Sequence, residues 1–187
     1  MVPVRKQLEG VANVWRPPTN CGPTTKGIKQ LEDWLKLGDG TWDMIHFNFG
    51  LHDLKYMGPN NENLADPAAE TSHQQVPMEQ YAENLKQIAT RLTATGATVV
   101  WRETTPVPEG CRGRVPGDSR KYNAAAAKVI EQVGGIETDA MFDFALQHAE
   151  QKKANVHYTE AGSEKLAEQV VRSIKAALSS RPAAIGK

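Results

Sequence analysis

Short apolar runs alternate along this chain with longer stretches whose apolar residues recur every three to four positions, and that alternation restricts its fold more than any other feature. Met44 to Phe49 is apolar at odd and even positions alike, as a parallel strand covered on both faces would be. Thr98 to Trp101 reads as a second strand, and Val11 to Val14 as a third, stopped by Arg16-Pro17-Pro18. Helical spacing marks Ile28 to Leu37 (Ile28, Leu31, Trp34, Leu35) and Met78 to Leu92 (Tyr81, Leu85, Ile88, Leu92). Ser119 to Val133, Met141 to Gln151 and Glu160 to Leu178 follow as helices, and Val2 to Leu8 reads as the end of another. Gly96 and Gly134-Gly135 supply stops. This order predicts βαβ units, hence one doubly wound α/β domain with a mainly parallel sheet over residues 1–187.

A chain of 187 residues can bury a core without metal or disulfide staples. Lys+Arg 22 balances Asp+Glu 22, so no charge footprint points to nucleic acid or an anionic membrane surface. Apolar runs fall well short of the roughly 20 residues of a membrane span. The start, MVPVRKQLEG, has no apolar core of a signal peptide, which leaves a cytoplasmic chain or one secreted from a longer precursor both open. Cys21 and Cys111 could pair, but two thiols are no disulfide framework, and unpaired cysteines are expected. With no CxxC and no clustered Cys/His spacing, no metal and no cofactor is expected.

Two polar loops are long: Lys55 to Gln75, and Arg102 to Asp118 with three prolines and three glycines. Ligands of parallel sheets bind where strands end and loops begin, and both loops occupy such places. Three segments there carry reactive side chains. They are Asn20-Cys21-Gly22-Pro23-Thr24-Thr25, Asn48-Phe49-Gly50-Leu51-His52-Asp53-Leu54 and Ala154-Asn155-Val156-His157-Tyr158-Thr159-Glu160-Ala161-Gly162. His46, inside a strand, is expected to be a hydrogen-bonded core residue, and Trp15, Trp34, Trp42 and Trp101 to be packing residues.

Gly50-Leu51-His52-Asp53 resembles the third sequence block of the SGNH (GDSL-type) ester hydrolases, Gly-x-Asn-Asp, with His in place of the Asn. Val156-His157-Tyr158-Thr159 with Gly162 resembles their fifth block, and Asn20-Cys21-Gly22 stands where the second block places its glycine. The resemblance implies a three-layer α/β/α sandwich, flavodoxin-like, here lacking the usual first strand. It also implies acyl transfer from a small ester to water, with His157 as general base and Gly22 and His52 as oxyanion donors. Asp53 is then expected to anchor its loop or orient His52.

Two positions depart from the family pattern. Ala154 stands where the family carries Asp, so Asn155 is the side chain left to accept from the His157 ring. The first block, an apolar strand followed by Gly-Asp-Ser, does not precede the first helix. A literal Gly117-Asp118-Ser119 occurs in the second long loop, where Asp118 or Ser119 is expected to cap the next helix, with Ser119 as the substitute nucleophile if roles have moved. The leading expectation is a cofactor-free esterase of small or short-chain acetyl and aryl esters. The alternatives are a catalytically inactive relative or fragment that binds ligands, and a flavodoxin-like nucleotide binder, for which no Gly-rich phosphate loop follows a strand. A sheet without its inner strand exposes unpaired backbone, so closure by neighbouring strands or a homo-oligomer is expected.

Overall fold

The computed structural model describes residues 2–180. Three strands form a parallel sheet: β1 (Met44–Phe47), a strand at Thr98–Arg102 and one at Ile136–Asp139, in that spatial order. Between the first two in sequence lies a small antiparallel ribbon, β2 (Tyr56–Met57) and β3 (His73–Gln74), so the remaining parallel strands are β4 (Thr98–Arg102) and β5 (Ile136–Asp139). The register sets Phe47 opposite Trp101 and Trp101 opposite Thr138.

Six helices complete the described chain: α1 (Val2–Gln7), α2 (Thr24–Leu35), α3 (Met78–Thr93), α4 (Asp118–Val133), α5 (Met141–His148) and α6 (Glu160–Ser179). Their apolar stripes sort them onto the two faces of the sheet. Leu31, Leu85, Ile88 and Val129, from α2, α3 and α4, pack with Val99 and Trp101 on one side. Val4, Met141, Val170 and Ile174, from α1, α5 and α6, gather with Met44 on the other. Two helical layers enclosing a parallel sheet make this an α/β sandwich, as the strand–helix alternation predicts.

Four expectations need correction. Val11 to Val14 is not a strand: among the described residues β1 pairs with β4 alone, and the Val11 segment faces Met44 and His46 of β1 across a cavity without sharing a ladder. Val11 stays exposed, and the Val14 carbonyl instead accepts from Arg5 Nε at 3.0 Å. The loop after Lys55 contains the β2–β3 ribbon. Neither Asp118 nor Ser119 caps α4; the cap position falls on Gly117, with no side-chain hydrogen bond, and Asp118 pairs with Lys121 at 2.9 Å. Ile136 to Asp139, unmarked by any apolar run, is the third strand of the sheet. Cys21 and Cys111 are free thiols, as expected.

The unpartnered edge of β1 is lined by space. Cavities of about 480 Å³ and about 550 Å³ lie against it, both walled by Trp15, Trp42, Met44 and His46. Inside the sheet His46 is hydrogen-bonded as expected: its Nε2 meets Asp139 Oδ2 at 3.0 Å, while Asp139 Oδ1 accepts from Gln169 on α6 at 2.8 Å. Burial pushes the His46 imidazole below its ordinary pKa, ahead of the opposing pull of Asp139.

Candidate active site

The chain leaves β1 through Asn48 and Phe49 and turns sharply at Gly50, whose φ is 152°. A side chain there would run into Thr104, whose hydroxyl donates to the Phe49 carbonyl at 2.8 Å and so ties this turn to the end of β4. Asn48 repeats the tie, donating to the Arg102 carbonyl at 2.8 Å. Only glycine permits that close approach, and the turn it allows carries His52 and Asp53.

Asp53 is fully buried. Its Oδ1 accepts from the backbone N–H of Thr24 at 2.8 Å and from the Thr24 hydroxyl at 2.6 Å. Thr24 opens α2, whose own cap position is Pro23 and offers no side-chain acceptor. Asp53 therefore supplies from across the site the acceptor that a helix start requires. Asn84 on α3 extends the network to Thr24 Oγ1 at 3.1 Å. Burial raises the Asp53 carboxyl to about 6, against the opposing hydrogen bonds from Thr24 and nearby backbone.

His157 is fixed by its neighbour two residues back. Asn155 Oδ1 accepts the His157 backbone N–H at 3.0 Å and stands 2.7 Å from His157 Nδ1. A backbone N–H can only donate, so the Asn155 atom is its carbonyl oxygen. That oxygen can only accept, so Nδ1 carries the ring proton and Nε2 presents a lone pair. Asn155 thus does for tautomer and orientation what the resemblance assigns to an aspartate, without the negative charge. Thr159 closes the segment by capping α6, its Oγ1 accepting from Gly162 N–H at 3.1 Å. A Cβ at Gly162 would collide with the Glu150 backbone, so the turn also requires glycine there.

His52 lies half-buried in the turn after β1. Burial first, and then Lys55, Arg114, Lys26 and His157, push the His52 imidazole below its ordinary pKa, which keeps it a neutral single donor. Gly22 sits at the same end of the sheet with φ 67°. Its N–H is engaged, donating to Asn20 Oδ1 at 2.8 Å, so this arrangement offers no free hydrogen from Gly22. Ser119 is buried at 1% exposure, and its Oγ makes no hydrogen bond to His157 or to any other described group. Among the described residues no group of three His, Cys, Asp or Glu side chains is placed to hold a metal, and no helix is long and apolar enough to cross a membrane.

The sequence pattern of GDSL-like lipases and acylhydrolases matches residues 9–170, most of the chain. The chain belongs to the GDSL-like lipase/acylhydrolase family. It is a hydrolase of esters by that membership. Among solved structures, the lipase/acylhydrolase from Enterococcus faecalis superposes with a TM-score of 0.66 at 15% identity, covering 94% of this chain and 84% of that one. An acetyl xylan esterase gives 0.67 at 11% identity, covering 92% and 89%. A GDSL-like lipase from Bacteroides thetaiotaomicron gives 0.56 at 12% identity, covering 83% and 72%. At such identities these likenesses speak for the fold. No curated protein sequence matches the chain. For this GDSL-like hydrolase the motifs point to His52, Asp53 and His157, and the structure brings their segments to one end of the sheet. Sequence reading included Thr24 in a flagged segment without seeing it as the partner of Asp53, and it missed the cations around His52, because an isolated Lys or Arg in a loop does not stand out in a linear pattern.

Proposed function

We propose that this chain hydrolyses small, short-chain carboxylic esters, acetyl and aryl esters among them, with His157 Nε2 as the general base. The observation that carries the reading is the double acceptance by Asn155 Oδ1, which fixes the His157 tautomer with its basic nitrogen free. The attacking group is water. Its oxygen bonds to the acyl carbon while Nε2 takes its proton, and that proton passes to the alkoxide as the ester C–O bond breaks. Neutral His52 donates to the developing oxyanion from the loop that Asp53 secures.

Ser119→Ala separates this from a serine nucleophile. A buried hydroxyl without a partner contributes little to stability, so the variant should fold normally and hydrolyse an aryl acetate at the parent rate. Loss of turnover in a folded Ser119→Ala protein would make Ser119 the nucleophile. Absence of hydrolysis above background in the parent chain itself would leave a GDSL-fold binding protein without activity.

The outer edge of β1, without a strand partner among the described residues, also supports a homo-oligomer, because an open strand edge flanked by apolar cavity walls is a template for another chain. Light scattering is expected to give a species heavier than the 20.5 kDa chain. A single species at the chain mass would show that the edge is tolerated in a monomer.

A further inference from the structure

Cations gather around His52 without carboxylates to balance them. Arg114 donates through Nε to the Leu51 carbonyl at 3.1 Å, and Lys55 Nζ donates to Asn63 Oδ1 at 2.7 Å. At the start of α2 Lys26 Nζ donates to the Asn20 carbonyl at 2.6 Å. Every one of these acceptors is neutral. Among the described residues none of the three cations takes part in an ion pair. Asp53, the carboxylate nearest in sequence, is buried and turned to Thr24.

Formal charge over the whole chain is balanced, so this excess is local. Arg114 and Lys55 are half-buried, Arg114 held at the carbonyl of the residue before His52 and Lys55 three residues after it in the same loop. Like charges held together beside a donor are disfavoured until an anion joins them. A partly desolvated surface lined by one sign of charge raises the local concentration of the opposite sign.

We infer that the site selects esters carrying a carboxylate on the alcohol or acyl side, bound by Lys55 and Arg114 beside His52. The inference rests on the proposed ester hydrolysis at His157 and names the substrate class for it. The carboxylate docks against the two cations, the ester carbonyl lies by His52, and Nε2 of His157 reaches the attacking water. Bond changes are those of the hydrolysis already described; the carboxylate itself does not react.

The test compares 4-acetoxybenzoate with its methyl ester, each rate divided by that of free imidazole with the same ester to remove intrinsic reactivity. At about 0.01 M ionic strength, where the Debye length is roughly 30 Å, the anionic ester should be preferred about tenfold in kcat/KM. The preference should shrink towards unity at about 1 M salt, where that length is roughly 3 Å. Lys55→Gln should lower the ratio at low salt, and a general loss of activity cancels in it. Lys55 is the cleaner site for the variant because Arg114 also holds the Leu51 carbonyl. A ratio of one or less at low salt overturns the inference and leaves ester hydrolysis standing. If neither ester is hydrolysed, the proposed function fails, and calorimetry with the stable pair 4-acetamidobenzoate and methyl 4-acetamidobenzoate decides the anion preference. Tighter binding of the acid, weakened by Lys55→Gln, upholds it; equal binding ends it.

Discussion

His157→Ala is expected to lower the turnover of an aryl acetate by about a hundredfold to ten-thousandfold, the range over which a positioned general base acts. The ring is exposed and tied only to Asn155, so its removal leaves no buried group unpaired, and Thr159 still caps α6. The fold should therefore survive and the loss should fall on kcat. Added imidazole should restore part of the activity in the variant, because a small base can enter the space the side chain vacates. Turnover unchanged in His157→Ala, with an intact circular dichroism spectrum, would remove the base from the mechanism and the proposed function with it. A fall without imidazole rescue, accompanied by a lowered melting temperature, would mark His157 as structural.

Which elements could be read beforehand follows from what each one packs against. Helices α3 and α6 bury a stripe, and a stripe is visible as period; Tyr81, Leu85, Ile88 and Leu92 all fall in the core. Strand β5 lies at the edge of the sheet and shows only Ile136 as an apolar side chain, with Glu137 exposed, so pairing with β4 through the backbone defines it instead. Val11 to Val14 has the composition of a strand and lacks a partner, and without a ladder β-propensity alone does not make one. The same division holds at the site. At the proposed site, His52 and His157 stand out in the sequence because strand ends and helix starts concentrate chemistry. The Asp53–Thr24 contact joins residues 29 apart and depends on how two loops fold back, which no local pattern encodes. Ser119 shows the reverse case, a motif legible in sequence whose side chain the fold buries without a hydrogen bond to the base.

Asp53 should make the protein more stable as the pH falls from 7 towards 4, the opposite of most carboxylates. Its folded-state pKa is about 6, raised by burial, whereas an unfolded Asp titrates near 3.9. Between those values the native state holds a proton that the unfolded chain has released. Stability rises with pH only where the unfolded state binds more protons, so here it falls as pH rises, and levels off above about 6. For these two pKa values the change between pH 4 and 7 is about 2 kcal/mol. Asp53→Asn keeps an oxygen for the Thr24 N–H and hydroxyl, removes the titration, and leaves every other ionisable group in place. Urea unfolding of both proteins at pH 4 and pH 7 isolates the effect as a difference. The variant should gain about 2 kcal/mol on the parent between the lower and the higher pH. A difference that does not move with pH would mean that Asp53 titrates alike in both states, and the tie between the His52 loop and α2 would then rest on hydrogen bonding with no ionisation cost to offset it.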